Sequence, residues 1–120
     1  MPRDARAEGF SRRHRFTVQG SFGAILRNSR KLRSPHAVLH VAPGSSGSSR
    51  LGVALTRRVL PSAVDRNRVK RSIREVFRRH RIRNAGLDLV VMLRAPVEMS
   101  YRREVVDEIR GLFDQAAQRP

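Results

Sequence analysis

Residues 65–81 restrict the possible fold more than any other part of the sequence, because on a helix they separate into two faces of opposite character. At roughly 100° per residue, one sector of the helical wheel is mostly apolar and comprises Val69, Ile73, Val76, Phe77 and His80. A second sector of similar width, well away from the first, holds cations and one amide: Asn67, Lys70, Arg71, Arg74, Arg78 and Arg81. The pattern predicts a helix that packs its apolar side on a core and leaves its cationic side outside.

The cationic sector contains no acidic residue, since Asp65 and Glu75 lie off it. A face that is only solvated usually mixes signs to gain pairs four residues apart, whereas like charges at that spacing, such as Lys70 with Arg74, are mildly destabilising. A phosphate backbone would remove this repulsion and release counterions. We therefore expect this sector to bind nucleic acid, with a solvated face as the alternative.

The whole chain is strongly basic, because 26 Lys and Arg against 10 Asp and Glu give a formal net charge of +16. Such a charge is better tolerated when a polyanion neutralises it; nucleic acid is the first candidate and an anionic membrane surface the second. No apolar run approaches the roughly 20 residues of a membrane span, so we expect no membrane segment. The absence of Cys excludes disulfides, thiolate zinc sites and a cysteine nucleophile, and it suits the cytoplasm, where we expect the protein.

The chain is expected to form one domain over residues 16–120, preceded by a flexible basic arm over residues 1–15 that lacks the apolar stretch of a signal peptide. Ser21 could cap a first helix carrying Phe22, Ile25 and Leu26. Strands are predicted at residues 31–33, 37–42, 50–56 and 87–93, the last covered on both faces.

Two further helices complete the pattern. The basic helix is predicted from about residue 62 or 64 to about 82; Ser62 has capping-box spacing to Asp65, and Asn84 with Gly86 should stop the helix. Ser100 is expected to cap a last helix that carries an apolar face over residues 105–113. The order of elements predicts an α+β fold, a two-layer sandwich of a small sheet and helices.

The basic segment resembles the bacterial ribonuclease P protein family in the order R-N-R-x-K-R-x-x-R-E-x-F-R, which runs from Arg66 to Arg78. The stretch LGVALTRR, residues 51–58, is similar to a family strand that ends in a small hydroxyl residue and two cations. The stretch GLDLVVMLR, residues 86–94, is similar to the strand after the basic helix. Phe22 matches an aromatic of the first helix, and the resemblance covers about residues 14–117.

The resemblance implies the order α-β-β-β-α-β-α, with a left-handed βαβ crossover around the basic helix and a topology shared with a domain of a ribosomal protein. General rules favour a right-handed crossover, so the left hand follows from the resemblance alone. The family also implies a subunit of ribonuclease P, whose catalytic RNA removes the 5′ leader of precursor tRNA with Mg²⁺ held mainly by that RNA. We thus expect one protein per RNA and no catalytic or metal-binding residue in the protein.

Two sets of binding residues follow from the resemblance. Contact with the catalytic RNA is expected from Arg66, Asn67, Arg68, Lys70, Arg71, Arg74 and Arg78. Contact with the leader or substrate is expected from Phe22, Leu26, His40, Arg57, Arg58 and Arg94. Leu26 and His40 depart from the family, which commonly has a second aromatic and a tyrosine at these positions, so less stacking surface is available. A core position for Phe22 and a solvated strand end for Arg57 and Arg58 are the alternatives.

Other kinds of site find little support in the sequence. His36 and His40 are four residues apart, but on a strand that places them about 13 Å apart, and no third metal ligand is near. No nucleophile elbow or phosphate-cradling glycine loop is present. A structural, ribosomal-type RNA-binding protein without a role in tRNA processing would explain the charge equally well. A DNA-binding regulator would ordinarily need a dimer surface or helix-turn-helix spacing, and neither is evident.

Overall fold

The computed structural model describes residues 29–44 and 47–118, which form a mixed four-stranded sheet and two long helices. The strands are β1 (Arg30–Arg33), β2 (Ala37–Pro43), β3 (Arg50–Ala54) and β4 (Leu87–Leu93), in the spatial order β1-β2-β4-β3. β2 pairs antiparallel with both β1 and β4, whereas β3 pairs parallel with β4. The predicted arm and first helix, including Phe22 and Leu26, lie outside the described residues.

The connection from β3 to β4 contains helix α1 (Ala63–Arg79) and a short 3₁₀ helix (Arg81–Asn84). Parallel neighbours need such a crossover, because a tight turn would reverse the chain direction. A second 3₁₀ turn (Met99–Tyr101) leads into helix α2 (Arg102–Gln118). The α+β sandwich and its βαβ crossover are therefore confirmed. No helix within the described ranges is long and apolar enough to cross a membrane.

One face of the sheet packs against α1 and α2 and forms the core. Every second residue of β2 and β4 points into it, and the completely buried members include Leu39, Leu89 and Val91. The helices contribute their apolar faces, with the rings of Phe77 and Phe113 meeting edge to face at a centroid distance of 6.1 Å. The apolar sector of the basic helix is thus confirmed as its core side. Val90 on the other face of β4 is also completely buried, so β4 is covered on both faces as predicted.

α1 begins as predicted, but it ends earlier than the predicted residue 82. The hydroxyl oxygen of Ser62 accepts a hydrogen bond from the backbone N–H of Asp65 at 3.3 Å, which caps the helix. The last helical residue is Arg79, because His80 adopts extended backbone angles. The imidazole Nδ1 of His80 then accepts from the N–H of Ile82 at 3.0 Å and starts the 3₁₀ helix. The chain therefore turns before it reaches Asn84.

The predicted cap of α2 at Ser100 is wrong. Ser100 lies inside the 3₁₀ turn, α2 begins two residues later, and Glu98 before the turn makes no side-chain capping bond. The turn is held instead by the backbone, since the N–H of Tyr101 donates to the carbonyl of Glu98 at 2.8 Å. Strand β3 likewise ends at Ala54 rather than Thr56. The carbonyl of Thr56 accepts hydrogen bonds from the N–H groups of residues 59 and 60, which forms a turn before α1.

Polar contacts fix the sheet to the helices at both ends. Glu108 of α2 accepts from the Ser34 hydroxyl at 2.6 Å and from the His36 backbone N–H at 2.9 Å, and its other oxygen lies 2.8 Å from His36 Nδ1. Burial alone would raise the pKa of Glu108, but these hydrogen bonds outweigh it and lower that pKa. At the opposite end, the buried Ser49 hydroxyl donates to the carbonyl of Ile82 at 2.5 Å. α2 and the 3₁₀ helix are thereby held against the strand ends.

The backbones of Gly44 and Gly86 lie close together, just after the end of β2 and just before the start of β4. The N–H of Gly44 donates to the carbonyl of Gly86 at 2.9 Å, and a Cβ atom on Gly44 would lie 2.7 Å from that oxygen. Gly86 itself has a φ of 70°, in the left-handed region that favours glycine. A side chain at either position would disturb the start of β4, which supports the core.

Candidate nucleic-acid interface

The outer side of α1 carries the predicted cations at the surface. Val69, Ile73 and Phe77 on the inner side are each at most 1% exposed. On the outer side, Asn67, Arg68 and Arg71 are exposed, and Arg66, Lys70, Arg74 and Arg78 are partly exposed. The division of the helix into an apolar and a cationic face is therefore as the sequence predicts up to Arg79, whereas Arg81 of the predicted cationic sector lies in the 3₁₀ helix beyond the end of α1.

The cations of α1 differ in what they contact. The side chains of Asn67, Arg68, Lys70 and Arg71 make no hydrogen bond or ion pair within the part of the chain that the structure describes. The guanidinium group of Arg66, by contrast, donates to the carbonyls of Leu60 and Pro61 at 2.8 and 2.9 Å. Arg66 thus fastens the loop before α1, a role that the sequence pattern did not reveal.

Arg78 also has a partner, Glu75, which the helical wheel placed outside the cationic sector. Its guanidinium group donates to both carboxylate oxygens of Glu75, at 3.1 and 2.7 Å, and Arg79 reaches the same carboxylate at 2.7 Å. The hydrogen bond from Arg78 is the main cause that lowers the pKa of Glu75, and the pair raises the pKa of Arg78. Glu75 therefore partly neutralises the C-terminal end of the cationic face.

Arg57, Arg58 and Arg94 lie at one edge of the sheet. β3 and β4 run parallel, with Ala54 beside Met92, so the residues that follow their carboxyl ends share that edge. All three arginines are exposed. Arg94 is also held in place, since its guanidinium group donates to the carbonyl of Ser34 at 3.2 Å and its N–H to that of His36 at 2.9 Å. The predicted cations after the two strands are thus brought together at the same end of the sheet.

His40 lies on the face of the sheet that is turned away from α1 and α2, which we call the distal sheet face. It pairs with Lys31 of β1 and Val90 of β4, and its Nδ1 lies 3.1 Å from the hydroxyl oxygen of Ser29. The side chain is buried, and this burial, together with the positive charges of Lys31 and Arg33, lowers the pKa of His40. The imidazole is accordingly neutral at pH 7 and offers hydrogen bonds rather than charge.

Lys31 and Arg33 also lie on the distal sheet face, and the sequence did not mark them as binding residues. They face the same way as His40 because Lys31 pairs with His40 and Arg33 with Val38, two residues earlier in β2. The alternation of side chains along the predicted strand at residues 31–33 could have indicated that Lys31 and Arg33 share one face. Arg50 on the same face differs from them, because it donates to both oxygens of Asp88 at 3.0 and 2.8 Å and joins β3 to β4.

No group of three or more His, Asp or Glu side chains is positioned to hold a metal ion within residues 29–44 and 47–118. His36 and His80 instead lie against single carboxylates, those of Glu108 and Asp114, at 2.8 and 2.6 Å. His80 also packs its ring on Phe113, in agreement with the structural role expected for it. The described histidines near the surface thus contact protein groups.

The family model described as ribonuclease P matches residues 10–117 of the sequence. The chain belongs to the ribonuclease P protein family. A ribonuclease P protein component from Nitrosomonas europaea is 44% identical over 96 residues, which span 80% of this chain and 81% of the relative. A ribonuclease P protein component from an Azoarcus species is 34% identical over 111 residues, 92% of either chain. This ribonuclease P protein is therefore a subunit of a tRNA-processing enzyme.

Solved structures of ribonuclease P proteins share the fold. The RNase P protein from Thermotoga maritima aligns with a TM-score of 0.69 at 25% identity, covering 84% of this chain and 96% of that one. The protein from Staphylococcus aureus aligns with the same TM-score at 21% identity, covering 88% and 95%. The family and fold expected from the R-N-R-x-K-R segment and its two flanking strands are both confirmed.

Proposed function

We propose that this ribonuclease P protein binds the catalytic RNA through the outer side of α1. The observation that carries the proposal is a group of exposed or partly exposed side chains near the start of that face that have no partner among the described residues: Asn67, Arg68, Lys70 and Arg71. Phosphate groups would supply the missing anions and release their own counterions. Arg74 and Arg78 extend the same face, and Arg66 contributes from the first turn while it also holds the preceding loop.

The 5′ leader of precursor tRNA is proposed to bind at the distal sheet face and the edge next to it. His40 supplies a neutral hydrogen-bonding group there, Lys31 and Arg33 supply positive charge, and the edge cations are Arg57, Arg58 and Arg94. Phe22 and Leu26 are proposed to complete this site from the N-terminal part of the domain, which lies outside the described residues.

The proposed division of labour gives the chemistry to the RNA. The protein would position the leader and screen phosphate charge, while Mg²⁺ held mainly by the RNA would promote hydrolysis of the phosphodiester. We further propose one protein per RNA, a cytoplasmic location, and a flexible arm over residues 1–15 ahead of a single domain over residues 16–120.

Cleavage of precursor tRNA by the catalytic RNA at low Mg²⁺, with and without the protein, tests this function. The protein should restore cleavage at Mg²⁺ concentrations where the RNA alone is slow, because its cations replace part of the screening that Mg²⁺ provides. Protein without RNA is the control and should cut nothing. A structural RNA-binding protein would bind the RNA but leave the cleavage rate unchanged, and that result would contradict the proposal.

Phe22→Ala tests the leader site separately. If Phe22 stacks on a leader base, the change should weaken binding of precursor tRNA by about 1–3 kcal/mol and leave binding of mature tRNA nearly unchanged. Equilibrium binding of both RNAs to the assembled enzyme measures this difference. Equal losses for the two RNAs would instead indicate that Phe22 belongs to the core.

A further inference from the structure

A groove runs between α1 and α2 on the side of the helix layer that faces away from the sheet, and we call it the interhelix groove. It consists of two adjoining hollows of about 330 and 270 Å³ that share Ser72 and Arg102 in their walls. Cations dominate its lining, with one carboxylate among them: Arg68, Arg71, Arg102, Arg103, Arg110 and Asp107. The groove is thus a positively charged channel between the two helices.

The cations of this groove are largely without anionic partners. Asp107 pairs with Arg110, whereas Arg68, Arg71, Arg102 and Arg103 make no ion pair within the described part of the chain. Packing several cations around one groove raises the electrostatic free energy of the folded protein. A bound anion long enough to span the groove would lower this electrostatic free energy.

The position of Arg102 and Arg103 is also unfavourable for α2 itself. Both occupy the first turn of the helix, where the aligned peptide dipoles leave a partial positive charge and where acidic residues are normally favoured, and Glu104 is the one acid in that turn. No side chain caps the 3₁₀ turn that leads into the helix. Because the helix gains nothing from two cations at this end, their presence points to a ligand that carries negative charge.

Tyr101 is an exposed aromatic residue in the 3₁₀ turn before α2, and it is not among the residues that line the two hollows. It directly precedes Arg102, and its side chain is 57% exposed, which makes it the most exposed aromatic side chain of the described residues. Exposed aromatic rings beside cations are typical of surfaces that bind unpaired nucleotides, since the ring stacks on a base while the cations hold the backbone. This combination favours RNA over an isolated phosphate as the occupant.

We propose that the interhelix groove is a second contact for the catalytic RNA, with Arg102 and Arg103 on its phosphates and Tyr101 on a base. The inference rests on the proposed function, because the groove is continuous with the outer side of α1 through Arg68 and Arg71. An RNA strand that follows the start of the cationic face thereby passes directly into the groove. The catalytic RNA contact then spans both helices rather than α1 alone.

Substitution of the α2 arginines tests the groove. Arg102→Ala/Arg103→Ala should raise the Kd for the catalytic RNA by about tenfold and reduce the log–log salt slope by about two, one for each lost phosphate contact. Ala is the best helix former, so α2 should remain folded, which circular dichroism and a thermal melt check. The single substitutions Arg103→Ala and Arg30→Ala form a matched pair, since each removes one charge and Arg30 is an exposed cation on edge strand β1. Arg103→Ala should weaken binding, and Arg30→Ala should leave Kd and slope unchanged.

Tyr101 and a tethered probe identify the occupant. Tyr101→Ala should weaken binding, whereas Tyr101→Phe, which keeps the ring, should bind like the wild type. The chain contains no Cys, so an iron chelate can be attached at a single site in Arg103→Cys and, as the control, in Arg30→Cys. In the assembled enzyme, hydroxyl radicals from the probe at position 103 should cut the catalytic RNA at a defined strand that the probe at position 30 does not cut.

The outcomes separate this inference from the proposed function. Lys70→Ala/Arg74→Ala changes two cations of α1 that do not line the groove. If that variant binds the catalytic RNA poorly while Arg102→Ala/Arg103→Ala binds normally, the groove is not an RNA contact and the function stands. If the probe at position 103 cuts only precursor tRNA, the assignment to the catalytic RNA is overturned. If neither pair of substitutions affects binding, the proposed RNA-contacting side of α1 is itself wrong.

Discussion

Arginines that look alike along α1 contact different groups. Arg66 donates to two backbone carbonyls, Arg78 is held by Glu75, and Arg71 extends from the surface without a partner among the described residues. Hydrogen bonds within the protein satisfy the first two, whereas Arg71 retains its full capacity to bind an external anion. The individual side chains therefore divide the R-N-R-x-K-R segment into a structural part and a binding part.

Arg71→Ala/Arg74→Ala should weaken assembly with the catalytic RNA and leave the fold intact. Neither side chain is in the core, and Ala favours the helix, so the melting temperature should stay close to that of the wild type. Each lost phosphate contact should reduce the salt slope of binding by about one. Wild-type affinity at physiological salt would mean that this face of α1 is only solvated.

His40 should make the protein less stable in mild acid. Its pKa in the folded state lies below the ordinary value of 6.5, so below about pH 6.5 the unfolded chain binds more protons than the folded one. Stability is then lost as the pH falls from 6.5 through the lower folded-state pKa. The drop in melting temperature between about pH 7.5 and 5.5 should be larger for the wild type than for His40→Gln. Equal drops would show that the folded and unfolded states hold this imidazole proton equally.

At the scale of secondary structure, α1 is stabilised by its inner side and positioned by its ends. Ser62 caps the beginning, and His80 links the end to α2 through the carboxylate of Asp114 at 2.6 Å and the ring of Phe113. The buried side chains between these ends supply the packing against the sheet. Most of the outer side of the helix therefore takes no part in packing against the sheet.

Ile73→Ala should act through stability alone. Ile73 is completely buried in the middle of α1, and truncating such a side chain costs about 2–5 kcal/mol of the free energy of unfolding. Val64→Ala on the same helix is the control, because Val64 is 61% exposed and its truncation should cost little. Urea unfolding measures both. A loss of RNA affinity by folded Ile73→Ala protein with unchanged stability would contradict the assignment of this side to the core.

At the scale of the whole molecule, many of the described cations that contribute to the net charge of +16 lie on three surfaces. The outer side of α1, the interhelix groove and the sheet edge with Arg57, Arg58 and Arg94 are all positive. Three of the described acids pair with groups away from these surfaces: Asp88 with Arg50, Glu108 with His36 and Asp114 with His80. The result is a protein whose surface field attracts a polyanion from several directions.

The affinity of the free protein for RNA should therefore fall steeply with salt. If about six cations each meet a phosphate, the log–log slope of the association constant against salt should be on the order of −4 to −5, depending on whether the RNA is single- or double-stranded. Titrations at several salt concentrations measure the slope. A slope near zero would remove the electrostatic basis of the proposed interface.

The sequence by itself determined the elements and the two faces of α1. β4 was predicted with its observed bounds and the start of α1 to within a residue, because local side-chain periodicity and the Ser62 cap depend only on neighbouring residues. The motif from Arg66 to Arg78, with the strands beside it, was also sufficient to indicate the family. These features depend only on neighbouring residues, so they can be predicted without knowing the tertiary structure.

Only the tertiary structure decided which groups each side chain contacts. The strand order β1-β2-β4-β3 and the hydrogen bond between Glu108 and Ser34 join residues far apart in the chain. At the end of α1, the contacts of His80 with Asp114 and Phe113 of α2 likewise join distant parts of the chain. The interhelix groove likewise exists only because α1 and α2 lie side by side, which brings Arg68 and Arg71 to Arg102.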